Sequence, residues 1–453
     1  MSDAKEGYMD LGRAVSAVGA GNRSASFELF SRDIDPTWIE QALQATGTAT
    51  ARRRKLPAEY VMWIVIGMAL MRDRSIQEVV RHLNLVLPDK KAPRTRGIVT
   101  GSAVVQARDR VGARPMEALF EQTAESWASA SAEQNRWRGL AVYGVDGSTL
   151  RVPDTPENEE AFGRPATGRG QSGYPQLRLV ALLVLRSHLL SGLVLGSCRE
   201  GELTLAEPLL DKVPDSSLVV VDRAYLSTHH LNRIQTLGTG RHWLTRAKAK
   251  LTMTPVKRLG PNDQLVDIPT NSHARGKHPE LPRSLRVRAV RYRRRGFREQ
   301  TLLTSLLDTD AYPAAEIIGL YHERWELEMA FDEIKNHTLE REEALRSREP
   351  QRVHQEVWGL AIGYNLVRLE MERVANDTGF EPRQLSYRHS LMLIRNFWIG
   401  AWLGSPGVLH KRLDGLQDDL LLLLLPARRP ERSYPRAVKI KMSNYALKRP
   451  PRP

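Results

Sequence analysis

The chain runs to 453 residues, 41% of them hydrophobic and 26% charged; that balance excludes a disordered or fibrous protein, and the length exceeds a single core, so several packed domains are expected. Its 67 lysines and arginines oppose 52 acids for a net charge of +15, which points to a polyanionic partner; the apolar stretches at 60–71 and 179–196 are too short or, at Arg186 and His188, too interrupted to cross a bilayer. The N-terminal MSDAKEGYMD has no cationic segment leading into an apolar run and Cys198, the single cysteine, has no internal disulfide partner, so no secretion and a reducing, cytoplasmic setting are expected.

Residues 1–26, rich in Gly, Ala and Ser, read as a loose arm. A short amphipathic helix follows: Asp35 is a good N-cap, Pro36 suits the first turn, Trp38, Ile39 and Leu43 make the apolar face, and Gly47 is a stop signal. Beyond the basic run at 52–55 comes a strongly apolar helix from 57 to about 72. Ser75-Ile-Gln-Glu then opens another as a capping box. A helix over 102–111 carries Gln106, Arg108 and Arg110, across a loop containing Pro93 and Gly97. Two arrangements fit this region: a helix-turn-helix-like pair that offers Arg108 and Arg110 to DNA, or a plain bundle with a solvated basic face. Residues 27–136 are taken as one helical domain.

From Gly139 strands and helices alternate, the sign of an α/β domain. LAVYGVDGS at 140–148 is apolar on both faces until Asp146, as in a central strand buried on both sides. A hairpin over 177–185 and 189–196, a helix over 202–212, a second buried strand in SSLVVVD ending at Asp222, a helix over 227–236 and a strand over 242–246 follow. Residues from about 248 to 300 are rich in Pro, Gly and Arg and read as a β-rich insertion presenting cations. Buried strand character returns at 302–306, and one long helix is expected from about 313 to 337. The α/β domain spans 137–349, a helical region suited to dimerisation spans 350–426, and the tail from 427 holds nine Lys or Arg against Glu431.

On a helix wheel Tyr321, Arg324, Glu328 and Lys335 share an arc of roughly 60 degrees, with Leu320, Leu327, Phe331 and Ile334 on the adjoining arc. Taken singly each acid has an ordinary explanation: Arg324 and Glu328 as a surface ion pair, Asp222 as a cap, Asp146 as an Asp-Gly turn. Together they suggest more, because both aspartates end central strands. Three close carboxylates repel one another unless cations neutralise them, and a pair of Mg2+ ions, with Mn2+ able to substitute, can do so while activating an attacking oxygen and stabilising a leaving one in phosphodiester displacement. The chain shows no Cys-His grouping that suggests zinc and no glycine loop that suggests a nucleotide.

The spacing Tyr-x2-Arg-x3-Glu-x6-Lys, met by Tyr321, Arg324, Glu328 and Lys335, resembles the hallmark of the insertion element 4 family of bacterial DDE transposases. VVVDRAY at 219–225 and YGVDGSTLR at 143–151 resemble the segments that hold the second and first aspartates of that family, and residues 27–112 resemble its N-terminal domain. The resemblance covers nearly the whole chain. It implies a ribonuclease H-like core, two Mg2+ ions held by Asp146, Asp222 and Glu328, cleavage at transposon ends and 3′-hydroxyl attack on target DNA by cut-and-paste, with a hairpin step in some members. It further implies that Tyr321, Arg324 and Lys335 grip phosphates, that the N-terminal helices bind terminal inverted repeats, that a homodimer pairs two ends, and that the protein works at the nucleoid. Arg293 and Arg295, within the arginine-rich run 286–298, are candidate backbone contacts, against the alternative of a charge-protected sheet edge. Trp243, Tyr292 and Phe297 are candidate receivers of an unstacked base. Two rival readings are a catalytically inactive DNA-binding regulator derived from a transposase and another nuclease of the same core, such as a junction resolvase.

Overall fold

The computed structural model describes residues 31–49, 56–83, 99–167, 170–294, 297–339, 344–400 and 409–425, with backbone alone at 399, 400 and 409–414. The N-terminal arm, the basic run at 52–55, the loop with Pro93 and Gly97, Arg295 and the basic tail lie outside these residues. Two compact units emerge, one from residues up to Ser126, Leu150–Leu177 and Glu333 onwards, the other from Trp127–Thr149 and Arg178–Asp332. No helix among the described residues is long and apolar enough to cross a membrane.

The first unit is mainly helical, with one small two-stranded sheet formed by Ala166–Thr167 and Gly170–Gln171. Asp35 caps the helix Pro36–Ala45 by accepting from the Thr37 amide at 2.8 Å. Ser75 and Glu78 cap the next turn reciprocally, the Ser75 amide donating to Glu78 at 2.8 Å and the Glu78 amide to Ser75 at 3.3 Å. The helix Ala58–Leu70 is buried on every side from Val61 onwards, as expected of a segment apolar all round. It packs on the long helix Pro350–Thr378, where Gly359 lets the two backbones approach: a Cβ there would lie 3.0 Å from the Val65 carbonyl oxygen. Charged groups in this core are paired. Arg72 meets Glu356 at 2.5 Å, and Glu333 is held by Arg368 and by the Tyr364 hydroxyl.

Arg108 belongs to that buried set and is not a DNA contact. It is 3% exposed, its Nε donates to Gln355 at 2.7 Å, and its Nη2 donates to Ser347 and to the Arg352 carbonyl, both at 3.1 Å. With Nε and Nη2 bonded inside the core and the residue buried, this guanidinium presents no exposed edge to a phosphate. Arg110, two residues on in the helix Gly101–Val111, is exposed.

The second unit is mixed α/β around a nine-stranded sheet. In chain order its strands are β1 (Ala141–Arg151), β2 (Gln176–Val184), β3 (Leu190–Ser197), β4 (Ser217–Val221), β5 (Arg241–Arg246), β6 (Thr254–Gly260), β7 (Asp263–Pro269), β8 (Ser284–Tyr292) and β9 (Gln300–Thr304). They lie in the order β3-β2-β1-β4-β5-β9-β8-β7-β6. Strand β4 is parallel to both β1 and β5, and β9, β8, β7 and β6 continue the sheet in antiparallel fashion. The all-buried SLVVV of β4 is what a strand covered on both faces requires. The Arg-rich segment therefore extends the main sheet as strands β6 to β8.

Two of its arginines are structural. Arg288 is fully buried, donating to Asp263 and to the carbonyls of Asp308 and Tyr312, and Arg286 forks onto Asp267 with two bonds of 3.0 Å. Arg291, Arg293 and Arg298 are exposed. The single long helix expected over 313–337 is instead two, Ala314–His322 and Trp325–Asp332, followed by a π-helical run Glu333–Thr338. At the break the amides of Arg324 and Leu327 bond three residues back, to Tyr321 and Arg324, which resets the phase of the helix.

Candidate active site

Parallel pairing of β1 and β4 places Val145 opposite Val221. Asp146 and Asp222 are each the next residue, so two carboxylates leave adjacent strands, roughly 5 Å apart, at the same level. The helix Trp325–Asp332 docks beside them because Gly144 has no side chain. A Cβ there would sit 2.7 Å from a Leu185 methyl and 2.9 Å from a Leu327 methyl. Glu328 follows Leu327 directly, and its Oε1 accepts from Arg324 Nη2 at 2.8 Å. Arg324 is also within electrostatic reach of both aspartates: its charge opposes the burial-driven rise of the Asp146 carboxyl, and Asp222 adds to Glu328 and Tyr321 in raising Arg324 against its own desolvation. The structure thus brings Asp146, Asp222, Arg324 and Glu328 into one electrostatic neighbourhood.

Burial pushes the Asp146 carboxyl up to about 6, opposed by the Gly147 amide that donates to its Oδ1 at 2.9 Å and reinforced by the charges of Glu202 and Asp222. Tyr321 is buried at 6% exposure; desolvation raises its phenol, with Arg324 and Arg246 acting against the rise. Lys335 lies in the π-helical run Glu333–Thr338, which belongs to the first unit.

Glu202 was not singled out by the sequence. It opens the helix Glu202–Asp211 and lies against Gly147, where a Cβ would come within 2.5 Å of its carboxyl carbon. The buried Tyr225 hydroxyl donates to Glu202 Oε1 at 2.9 Å, fixing it. No motif marks this residue; the one available signal is Gly147 itself, a glycine inside a strand, where something must approach closely.

These residues fit a divalent metal. The donor set is all carboxylate oxygen, which hard cations prefer, and crowding around a buried carboxylate is the charge imbalance a bound cation relieves. Among the candidate base receivers, Trp243 is ruled out by complete burial. Phe297 is half exposed beneath Arg294, and Tyr292 donates through its hydroxyl to Gln300 at 3.1 Å.

Comparison with known proteins gives concordant matches. Residues 24–121 match the insertion element 4 transposase N-terminal family and residues 137–366 the transposase DDE domain. The chain is 36% identical over 414 residues to the transposase InsG for insertion sequence element IS4 of Escherichia coli, covering 91% of this chain and 92% of that protein. It is also 34% identical over 279 residues to the putative transposase InsZ of Escherichia coli, covering 59% of this chain and 90% of that one. Among solved structures, a chain of the piggyBac transposase synaptic complex with hairpin DNA aligns over 92% of this chain and 88% of its own length, with 12% identity and a TM-score of 0.41.

Proposed function

Because the chain belongs to the insertion element 4 family of DDE transposases, enzymes that act on DNA, we propose that Asp146, Asp222 and Glu328 are its catalytic and metal-holding carboxylates. They cut DNA at the ends of the element and join those ends to a target. The observation that carries this reading is the Val145–Val221 register pair, which sets the two aspartates side by side, with Arg324 linking them to Glu328. Strands β1 to β5 would form the ribonuclease H-like core, a reading supported by two acids at one level of neighbouring parallel strands at the centre of the sheet, Asp222 directly after β4 and Asp146 within β1, just past the last β1–β4 register pair, Val145 and Val221.

A pair of Mg2+ ions, or Mn2+ in their place, would polarise the phosphate and lower the pKa of the attacking hydroxyl or water. The chain's own groups do the rest. Arg324, pre-aligned by Glu328, presents its remaining N–H groups to a phosphate oxygen, and the Tyr321 phenol, kept protonated, is a neutral donor beside it. Lys335 supplies a point charge, and the exposed Arg110 and Arg293 lie along the DNA backbone. The helical segment 27–136 binds the terminal inverted repeats, a homodimer pairs two ends, and the protein works at the nucleoid. If the excised end closes as a hairpin, Phe297 and Tyr292 are the aromatic side chains placed to receive the unstacked base.

The test is Asp146→Ala, with Asp222→Ala and Glu328→Ala beside it. Each should still shift DNA carrying the element's own ends while nicking it at least ~10³-fold more slowly in Mg2+. Nicking by any of them at the wild-type rate removes that residue from the site.

A further inference from the structure

A second cluster of ligand-type side chains sits in the sheet-bearing unit, on residues the catalytic reading does not use. The helix Thr228–Thr236 carries His229 and His230, and the segment between β7 and β8 carries His278 and Glu280. His278 stacks on His229 with ring centroids 3.7 Å apart and 23° between planes. Glu280 Oε1 lies 3.5 Å from His278 Nδ1. One donor atom from each of His229, His278 and Glu280 falls within 4.8 Å of the others. A second carboxylate backs them, Glu207 Oε1 being 3.8 Å from His229 Nε2 and 3.7 Å from His230 Nε2.

The orphan atom is the telling one. The His229 side chain is nine-tenths buried, yet its Nε2 has no hydrogen-bond partner among the described residues. A buried ring nitrogen is ordinarily satisfied, and one that is not calls for a ligand, an ion or a water. Burial and the neighbouring His278 both favour the neutral imidazole, the form that binds a metal.

We propose that His229, His278 and Glu280, backed by Glu207, bind a divalent transition-metal ion of the Zn2+ class. Two imidazoles and a carboxylate suit that borderline cation, whereas Mg2+ asks for oxygen alone. Bonds of about 2.0 to 2.1 Å in a tetrahedral site put ligand atoms about 3.3 Å apart. The cluster must therefore contract, the two stacked rings fanning so that both point at the ion. The half-exposed His278 and exposed Glu280 have room to make that rotation. The ion would clamp the β7–β8 segment of the sheet extension onto the helix that follows the Asp222 turn.

The measurement is Zn2+ binding by the full chain, stripped with chelator and dialysed against micromolar Zn2+ in excess Mg2+, which keeps the carboxylate centre filled with Mg2+. Bound zinc is counted per chain by mass spectrometry, and thermal melting is followed with and without Zn2+. The wild type should hold one more zinc per chain than His278→Gln or Glu280→Gln, each binding at least tenfold more weakly. Zinc should raise the melting temperature of the wild type alone. Both side chains are partly exposed, so the zinc-free variants should melt with the wild type; if one does not, the other serves. Equal zinc content in wild type and variants, or no zinc in either, overturns the proposal.

Discussion

Asp146 opposes folding whenever it is ionised, because its pKa of about 6 in the fold exceeds the 3.8 of a free side chain. Below about pH 4 the group is protonated in both folded and unfolded chains and imposes nothing. The penalty grows as pH rises from 4 to 6 and is complete above 6, where a shift of about two units corresponds to ~3 kcal/mol. Asp146→Asn keeps the size and the acceptor for the Gly147 amide but removes the charge. In metal-free buffer at pH 8 it should be ~2–3 kcal/mol more stable than wild type, with the gain vanishing below pH 4, as read by urea unfolding at the two pH values. Mg2+ should stabilise the wild type and leave the variant unmoved; identical stabilities at pH 8 would mean that Asp146 carries no such burden. At this scale the sequence was informative where an apolar run stops at a carboxylate, as at Asp146 and Asp222, since that is visible in one dimension; only Asp222 follows the last residue of its strand, whereas β1 runs on past Asp146 to Arg151. Glu202 was hidden because it reaches Gly147 from 202 − 147 = 55 residues away, through packing that no local period records.

Elements were legible where periodicity is long and caps are strong. Asp35 and the Ser75–Glu78 pair cap as their side-chain chemistry requires. The break at 323–325 was not legible, because a wheel drawn at a constant angle assumes one continuous ladder, and nothing in ERWELE forbids helix. Helix contacts also turn on residues that carry no pattern. Gly359 meets the backbone of Val65, with a would-be Cβ 2.6 Å from Val65 Cγ1 and 3.0 Å from its carbonyl oxygen, whereas at Gly363 the nearest atoms are side-chain carbons of Leu70 at 3.2 and 3.4 Å. Backbone cannot rotate away as a methyl can. Gly359→Ala gains ~1 kcal/mol of helix propensity but loses more to the forced separation of two helices, for a net destabilisation of ~1–2 kcal/mol. Gly363→Ala should be close to neutral, and chemical denaturation of the two variants side by side separates the cases. A Gly359→Ala protein as stable as wild type would show that the helices can part freely.

At the scale of the whole molecule the net charge of +15 identified the kind of partner but not the residues that meet it. Alternation along β8 gives Arg286 and Arg288 the same face, yet one is exposed and the other is sealed among Asp263 and three main-chain carbonyls. Charge count therefore overstates the charge available to DNA. Each phosphate neutralised contributes about 0.9 to the slope of log K against log salt, so the slope reports contacts and ignores arginines spent inside the protein. Replacing Arg291, Arg293 and Arg298 together by Ala should leave the fold intact and make the slope for element-end DNA shallower by ~2–3. Replacing Arg288 by Met leaves Asp263 without its buried partner, so it should cost ~3 kcal/mol of stability and leave the slope of the folded fraction unchanged. Binding measured from low to moderate salt distinguishes the two. If the triple variant keeps the wild-type slope, Arg291, Arg293 and Arg298 face solvent alone, and the phosphate contacts must come from other parts of the chain.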